Sequence, residues 1–272
     1  MRPTIVAWLE TRVGTGFFVP TYDLLLAAAV IAAFYLALRA AERQRLDPDQ
    51  VFRAGLAMAI TGLVAARLYV ILQDPTPYLR QPLDMVRVWK GGTASTGMYA
   101  GVLVAAVTAA RRLRLPLGKL LDCAAPSAAA GLVFGRLACF VNGCCFGSVS
   151  ELPWAVRFPV GSGPQLTQLT AGLVGPDQVS EPVHPVQLYE AAFGVLLFLV
   201  LSRYRRAQRR DGELVALFLV LYGLGRFGTE FLRGDYRAHI GALSVPQVFW
   251  LIAAAGAATF LLQGKLRRAT MS

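Results

Sequence analysis

Separate apolar runs of about 17 to 23 residues recur along this chain, each long enough to cross roughly 30 Å of hydrocarbon as an α-helix. In lipid a backbone must satisfy its own N–H and C=O groups, so runs of this kind read as helices. They extend over Tyr22 to Ala40, Phe52 to Leu72, the stretch after Gly97 up to Arg111, Gly118 to Phe140, His184 to Leu201, Glu213 to Leu232 and Val245 to Leu262. Only 16% of the 272 residues are charged, against roughly 25% in soluble domains. The expected fold class is therefore an all-α membrane protein. Seven transmembrane helices form one polytopic domain, 1–272, with residues 148–183 as an extracytoplasmic loop or small cap carrying short strands around Trp154 to Phe158. With Glu10, Arg12 and scattered glycines, the first 20 residues do not read as a signal peptide.

A net charge of +11 would suggest nucleic acid in a soluble protein, but here the basic residues cluster between apolar runs, so membrane topology accounts for them and no nucleic acid is expected. The loops around 39 to 53, 111 to 119, 203 to 210 and 265 to 268 hold 16 of the 27 Lys and Arg, and the alternate loops hold eight. The positive-inside rule then places the N-terminus outside and the C-terminus in the cytoplasm. It also brings Gly91 to Tyr99, Arg136 to Gly147, His184 to Glu190 and Arg226 to Asp235 to the outer side. Trp89 and Lys90 suit the headgroup region there.

Ionisable groups at that depth cost about 2.5 to 3.5 kcal/mol each on insertion scales, so they call for a reason. Arg67, Arg136 and Arg226 are such groups. They either pair with Glu190 and Glu230 as internal struts or, being three against two, leave guanidinium free for an anionic headgroup, whose phosphate the planar fork matches. Tyr222, Arg226 and Glu230 lie four apart on one helical face, and Arg233 and Asp235 continue the stripe outward. Gly223, Gly225 and Gly228 admit a neighbouring helix or a ligand. His184, three residues before Gln187, is a candidate general base or a helix-capping group, whereas His239 reads as surface. Cys139, Cys144 and Cys145 admit a metal site, a thiol redox centre, or else buried packing thiols or a local structural disulfide; their spacing favours the last pair.

Taken together, Tyr22, Ala66-Arg67-Leu68, Trp89-Lys90-Gly91-Gly92, Gly135-Arg136 through Asn142-Gly143, His184-Pro185-Val186-Gln187-Leu188-Tyr189-Glu190, Tyr222-Gly223-Leu224-Gly225-Arg226 and Glu230-Phe231-Leu232-Arg233 resemble, in this order, the bacterial prolipoprotein diacylglyceryl transferases. The resemblance runs from Tyr22 to about Gln247. It implies a multi-pass inner-membrane enzyme that moves the diacylglyceryl group of phosphatidylglycerol onto the lipobox cysteine of a preprolipoprotein signal peptide within the lipid bilayer, forming a thioether, with no cofactor and no metal. Arg136 and Arg226 match the family's functional arginines. His184 and Tyr99 would join them in catalysis, and Tyr22, Arg67, Asn142, Gln187, Tyr222, Glu190, Glu230 and Arg233 would bind substrate. Two departures stand out. Thr96 replaces a histidine often proposed as the base, and Ala138-Cys139-Phe140 with Cys144 replaces the family's Gly-Asn-Phe and Glu. The base is then His184, Glu190 or Tyr99, or the acceptor reacts as a thiolate formed near the arginines. Alternatively, the chain is a paralogue that binds or transports an anionic lipid, or serves another acceptor, on the same scaffold.

Overall fold

The computed structural model describes residues 21–87, 95–208, 210–235 and 239–269. The Trp89-Lys90-Gly91-Gly92 motif and the side chains of Ser95, Thr96 and His239 lie outside what is described. The described chain is helical: α1 Thr21–Arg43, α2 Pro48–Gln73, α3 Thr76–Arg80, α4 Ser95–Arg112, α5 Leu117–Asn142, α6 Gly163–Thr170, α7 Val186–Tyr204, α8 Glu213–Glu230 and α9 Val245–Ala269. A two-residue antiparallel pair, β1 His239–Ile240 with β2 Leu243–Ser244, leads into α9. Five helices, α1, α2, α5, α7 and α9, are long and apolar enough to cross a membrane. Helix α4 is 18 residues long and begins at Ser95-Thr96-Gly97; α8, of the same length, carries Glu213, Arg226 and Glu230.

Burial runs opposite to that of a soluble protein. Ile31, Leu72, Leu199 and Ile252 point outward, whereas Arg67, Gln187, Glu190, Arg226 and Glu230 are buried. Apolar side chains of this size facing outward in numbers suit a hydrocarbon solvent, and polar groups are then sheltered inside.

Packing divides the described residues into two units. One draws on the described residues within 1–33, 125–208 and 213–272, the other on those within 34–124 and 209–212. In the second, small residues let backbones approach: Ala40, Ala41, Ala54, Ala109 and Ala110 form a core with Val51, Leu115, Leu120 and Cys123. A Cβ at Gly97 would lie 2.4 Å from the Ala65 carbonyl oxygen, so only glycine admits α4 this close to α2. Asp47 caps α2 by accepting from the Asp49 N–H at 2.9 Å, with Pro48 at the first helical position, where its missing N–H costs nothing. The buried carboxylate of Asp122 accepts from the Gly212 N–H.

The first unit holds most of the candidate site and is tied by backbone rather than by strands. The Gly147 N–H donates to His184 O, His184 N–H to Ser148 O, Ser148 N–H to Leu232 O, and Gly234 N–H to Phe146 O. These bonds join the chain after α5, the entry to α7 and the exit of α8. The strands expected around Trp154 to Phe158 reduce to isolated bridges, Val156 with Val183 and Val149 with Val183, because the cap runs through prolines and a short helix, α6. A Cβ on Gly147 would fall 2.5 Å from His184 Cβ and 2.6 Å from its carbonyl oxygen. Gly147→Ala must therefore push backbone aside, and we expect a loss of about 1 to 3 kcal/mol, read as a lower melting temperature in detergent.

Candidate active site

Helix α5 delivers Arg136, α7 delivers Glu190, and α8 delivers Arg226, Thr229 and Glu230. Glu190 stands between the two arginines: its Oε2 is 2.5 Å from Arg136 Nε and its Oε1 is 3.0 Å from Arg226 Nη1. The contact with Arg136 is one of charge, since Glu190 Oε2 accepts no aligned hydrogen bond. Arg226 Nη2 reaches Glu230 Oε2 at 2.6 Å, the i,i+4 pair expected from the helical spacing. Thr229 Oγ1 donates to Glu190 Oε1 at 3.0 Å. The result is a row, Arg136–Glu190–Arg226–Glu230, with two charges of each sign.

The row is not equally sheltered. Arg226 keeps 7% of its side chain exposed and Arg136 keeps 15%, so Arg136 is the more accessible guanidinium. Arg67 belongs to the other unit, where it donates to the carbonyl oxygens of Asp84 and Met85 and sits 5.0 Å above the Tyr78 ring. Tyr99, partly buried in α4, also belongs to that unit.

Sequence reasoning missed Ser244, Gln247 and Thr229. Ser244 Oγ donates to Glu230 Oε1 at 3.0 Å while serving a capping box at the start of α9: the Gln247 N–H donates to Ser244 Oγ and the Ser244 N–H to Gln247 Oε1. The signal was present, because Ser244-Val245-Pro246-Gln247 has the S-x-x-Q pattern ahead of an apolar run. Thr229, three residues after Arg226, lay on the same helical face.

The remaining residues frame this row. Tyr222 is buried, stacked on Phe218 at 5.3 Å and edge-on to Trp250 at 4.6 Å. Two of the three α8 glycines serve helix packing: Cβ atoms there would strike Trp250 O from Gly223 and the Phe193 ring from Gly225, while Gly228 faces open space. His184 precedes α7, with Pro185 at the cap. Its Nδ1 lies 3.4 Å from the Tyr189 hydroxyl, whose oxygen accepts the Trp154 Nε1–H at 2.7 Å. Gln187 does not join His184; buried, it donates to the Cys144 carbonyl at 2.7 Å.

Beyond Asn142, exposed at the end of α5, the chain turns through two left-handed residues, Gly143 at φ 71° and Cys145 at φ 61°. The turn folds Cys144 and Cys145 back over Cys139, with Tyr22 of α1 near all three. The Cys145 thiol is held below its usual pKa by hydrogen bonds from Cys139 and Cys144 and by the Arg233 and Arg136 guanidiniums. Arg233 is buried, which works against its charge, but its fork grips both oxygens of Asp235 at 2.8 and 2.7 Å and its pKa is raised.

A buried arginine–glutamate row beside a cluster of free thiols suits the handling of an anion during group transfer, and similarity points the same way. A family model described as prolipoprotein diacylglyceryl transferase matches residues 11–263. The phosphatidylglycerol–prolipoprotein diacylglyceryl transferase of Geobacter sulfurreducens is 36% identical over 229 residues, 83% of this chain and 81% of its own length. The proteins of that name in Ruegeria pomeroyi and Synechococcus elongatus are 37% identical over 234 residues and 32% over 240, covering 81% and 86% of this chain and 76% and 79% of their own lengths. This chain belongs to the prolipoprotein diacylglyceryl transferase family.

Proposed function

We propose that this protein transfers the diacylglyceryl group of phosphatidylglycerol to the lipobox cysteine thiol of preprolipoproteins, as a seven-crossing enzyme of the bacterial inner membrane with its N-terminus and active face outside. The observation that carries the reading is the Arg136–Glu190–Arg226–Glu230 row, assembled from three helix ends within a family whose curated members bear that activity. The charge sorting of the loops supports the orientation, since it puts the site where both the donor headgroup and an exported signal peptide are met.

In the reaction the acceptor sulfur attacks the glycerol carbon that bears the phosphate. The S–C bond forms, the C–O bond breaks, and glycerol phosphate leaves with added negative charge. Arg136, the more open guanidinium, takes that phosphate, and Arg226, anchored by Glu190 and Glu230, completes the clamp. Donors already fixed in a dry site stabilise developing charge without reorganising. Arg233, Gln187, Tyr222, Asn142 and Tyr22 are assigned to substrate positioning. His184, oriented through Tyr189 and Trp154, receives the thiol proton.

The test is diacylglyceryl transfer from phosphatidylglycerol vesicles to a lipobox peptide by the purified full chain, with rescue of a strain depleted of its own transferase. Thioether-linked product and rescue are expected; lipid binding without either would replace the enzyme with a lipid-binding paralogue. His184→Ala should lower the rate by about 10²-fold or less, because general-base help is worth that order and the thiol can ionise without it. An unchanged rate would remove His184 from the proton path.

A further inference from the structure

The three cysteines of the α5 exit turn remain unexplained by the phosphate clamp. Their sulfurs all lie within 4.8 Å of one another. Three thiolates on one zinc ion at about 2.3 Å stand about 3.8 Å apart, so closure on a single ion asks for shifts of about 1 Å or less. The turn that gathers them is held on every side. The Cys144 N–H donates to Cys139 O, Gln187 holds the Cys144 carbonyl, Phe146 packs on Phe158 and Val183, and Gly147 is bonded to His184. Cys145 adopts a left-handed conformation that cysteine disfavours, and side chains kept in such conformations concentrate at functional sites.

Two further features distinguish the trio from packed thiols. Cys139, Cys144 and Cys145 are all partly exposed, whereas Cys123 is fully buried, so the trio can be approached from outside. Charge around it suits an anionic complex: three thiolates on a divalent cation carry one net negative charge, and the buried Arg233 side chain springs from a residue that pairs in an antiparallel bridge with Gly147 of the same turn. Arg233 Nη1 is buried and makes no well-aligned hydrogen bond among the described residues, a donor available to a coordinating sulfur.

Resting on the transferase reading above, we infer that Cys139, Cys144 and Cys145 form a three-thiolate site for a soft divalent cation of the zinc class, whose fourth position takes the acceptor thiol. Three protein ligands with one open position is the arrangement of catalytic rather than structural zinc, and thiolate ligands select such cations over magnesium or calcium. A coordinated thiol gives up its proton more readily, and His184 remains the group that receives it. Its sulfur then forms the bond to the glycerol carbon while the C–O bond to phosphate breaks and the phosphate monoester departs; nothing is oxidised or reduced. The inference departs from the metal-free site implied by family resemblance. It also adds, in the same turn, an acidification of the acceptor thiol to the proton acceptance assigned to His184, in a chain where Thr96 stands in place of a histidine.

The experiment uses the full chain in detergent with phosphatidylglycerol, reduced and then exposed to zinc or cobalt(II). About one equivalent of zinc per chain should survive dialysis. Cobalt should give a near-ultraviolet thiolate charge-transfer band that shifts with a lipobox peptide and not with its Cys→Ser analogue. Cys139→Ser, Cys144→Ser and Cys145→Ser should each weaken zinc retention by about tenfold or more. Absence of the cobalt band in the wild-type chain, which requires no variant to fold, would overturn the site, as would a disulfide among the three thiols or a band insensitive to the peptide. Diacylglyceryl transfer is measured on the same samples. Full transfer after chelation would sink the metal site and leave the transferase reading intact. A peptide-sensitive band without transfer would do the reverse.

Discussion

Arg136→Ala and Arg226→Ala each reduce diacylglyceryl transfer by on the order of 10²- to 10³-fold or more, the effect of removing a fixed donor from a developing anion. The two differ in what else they break. Arg226 sits between Glu190 and Glu230, so its loss takes an ion-pair partner from two buried carboxylates, whereas Arg136 contacts Glu190 alone among its ion pairs in the described residues. Arg226→Ala should thus also lower the melting temperature in detergent, and Arg136→Ala should do so less. Arg226→Lys and Arg136→Lys keep the charge but lose the planar fork; folded protein with strongly reduced transfer is expected from both. Full activity without either arginine would end the clamp model.

The largest effect on stability is expected at Glu190, the one carboxylate that touches both guanidiniums. Glu190→Ala leaves two buried cations without their shared counterion, and breaking a buried pair by removing one partner costs about 3 to 5 kcal/mol. Removing Arg136 as well should recover part of that loss, because one stranded charge goes with it, while transfer stays absent. A double-mutant cycle on melting in detergent reads the coupling, and more than about 1 kcal/mol is expected for groups in direct contact. Additive losses would mean that Glu190 and Arg136 do not share an energetic contact, against the 2.5 Å separation.

How much of this was open to reading from residues alone varies with the range of the interaction. Helix positions were legible, because a run of apolar residues facing lipid carries its own reason to be helical. Tyr22 to Ala40 was expected and Thr21–Arg43 is found, and Gly118 to Phe140 became Leu117–Asn142. The Arg226–Glu230 pair was legible too, since four residues are one helical turn. The cap was less so: strands need partners, and Val156 finds only Val183 across a loop.

Apolar run length and the cost of burying charge are local properties, so composition and periodicity alone called for membrane helices and marked Arg136, Arg226, Glu190 and Glu230 as groups needing partners. Which partner each takes depends on which helix ends meet. Thr229 finds Glu190 across 39 residues and Ser244 reaches Glu230 across 14. Those meetings are set by the backbone bonds around Gly147 and by the glycine-lined contacts of α8, and they carry no signature in sequence spacing. For the same reason the spacing of Cys139, Cys144 and Cys145 left packing thiols or a disulfide as the favoured reading, and only the left-handed turn at Gly143 and Cys145 folds the three sulfurs into one cluster.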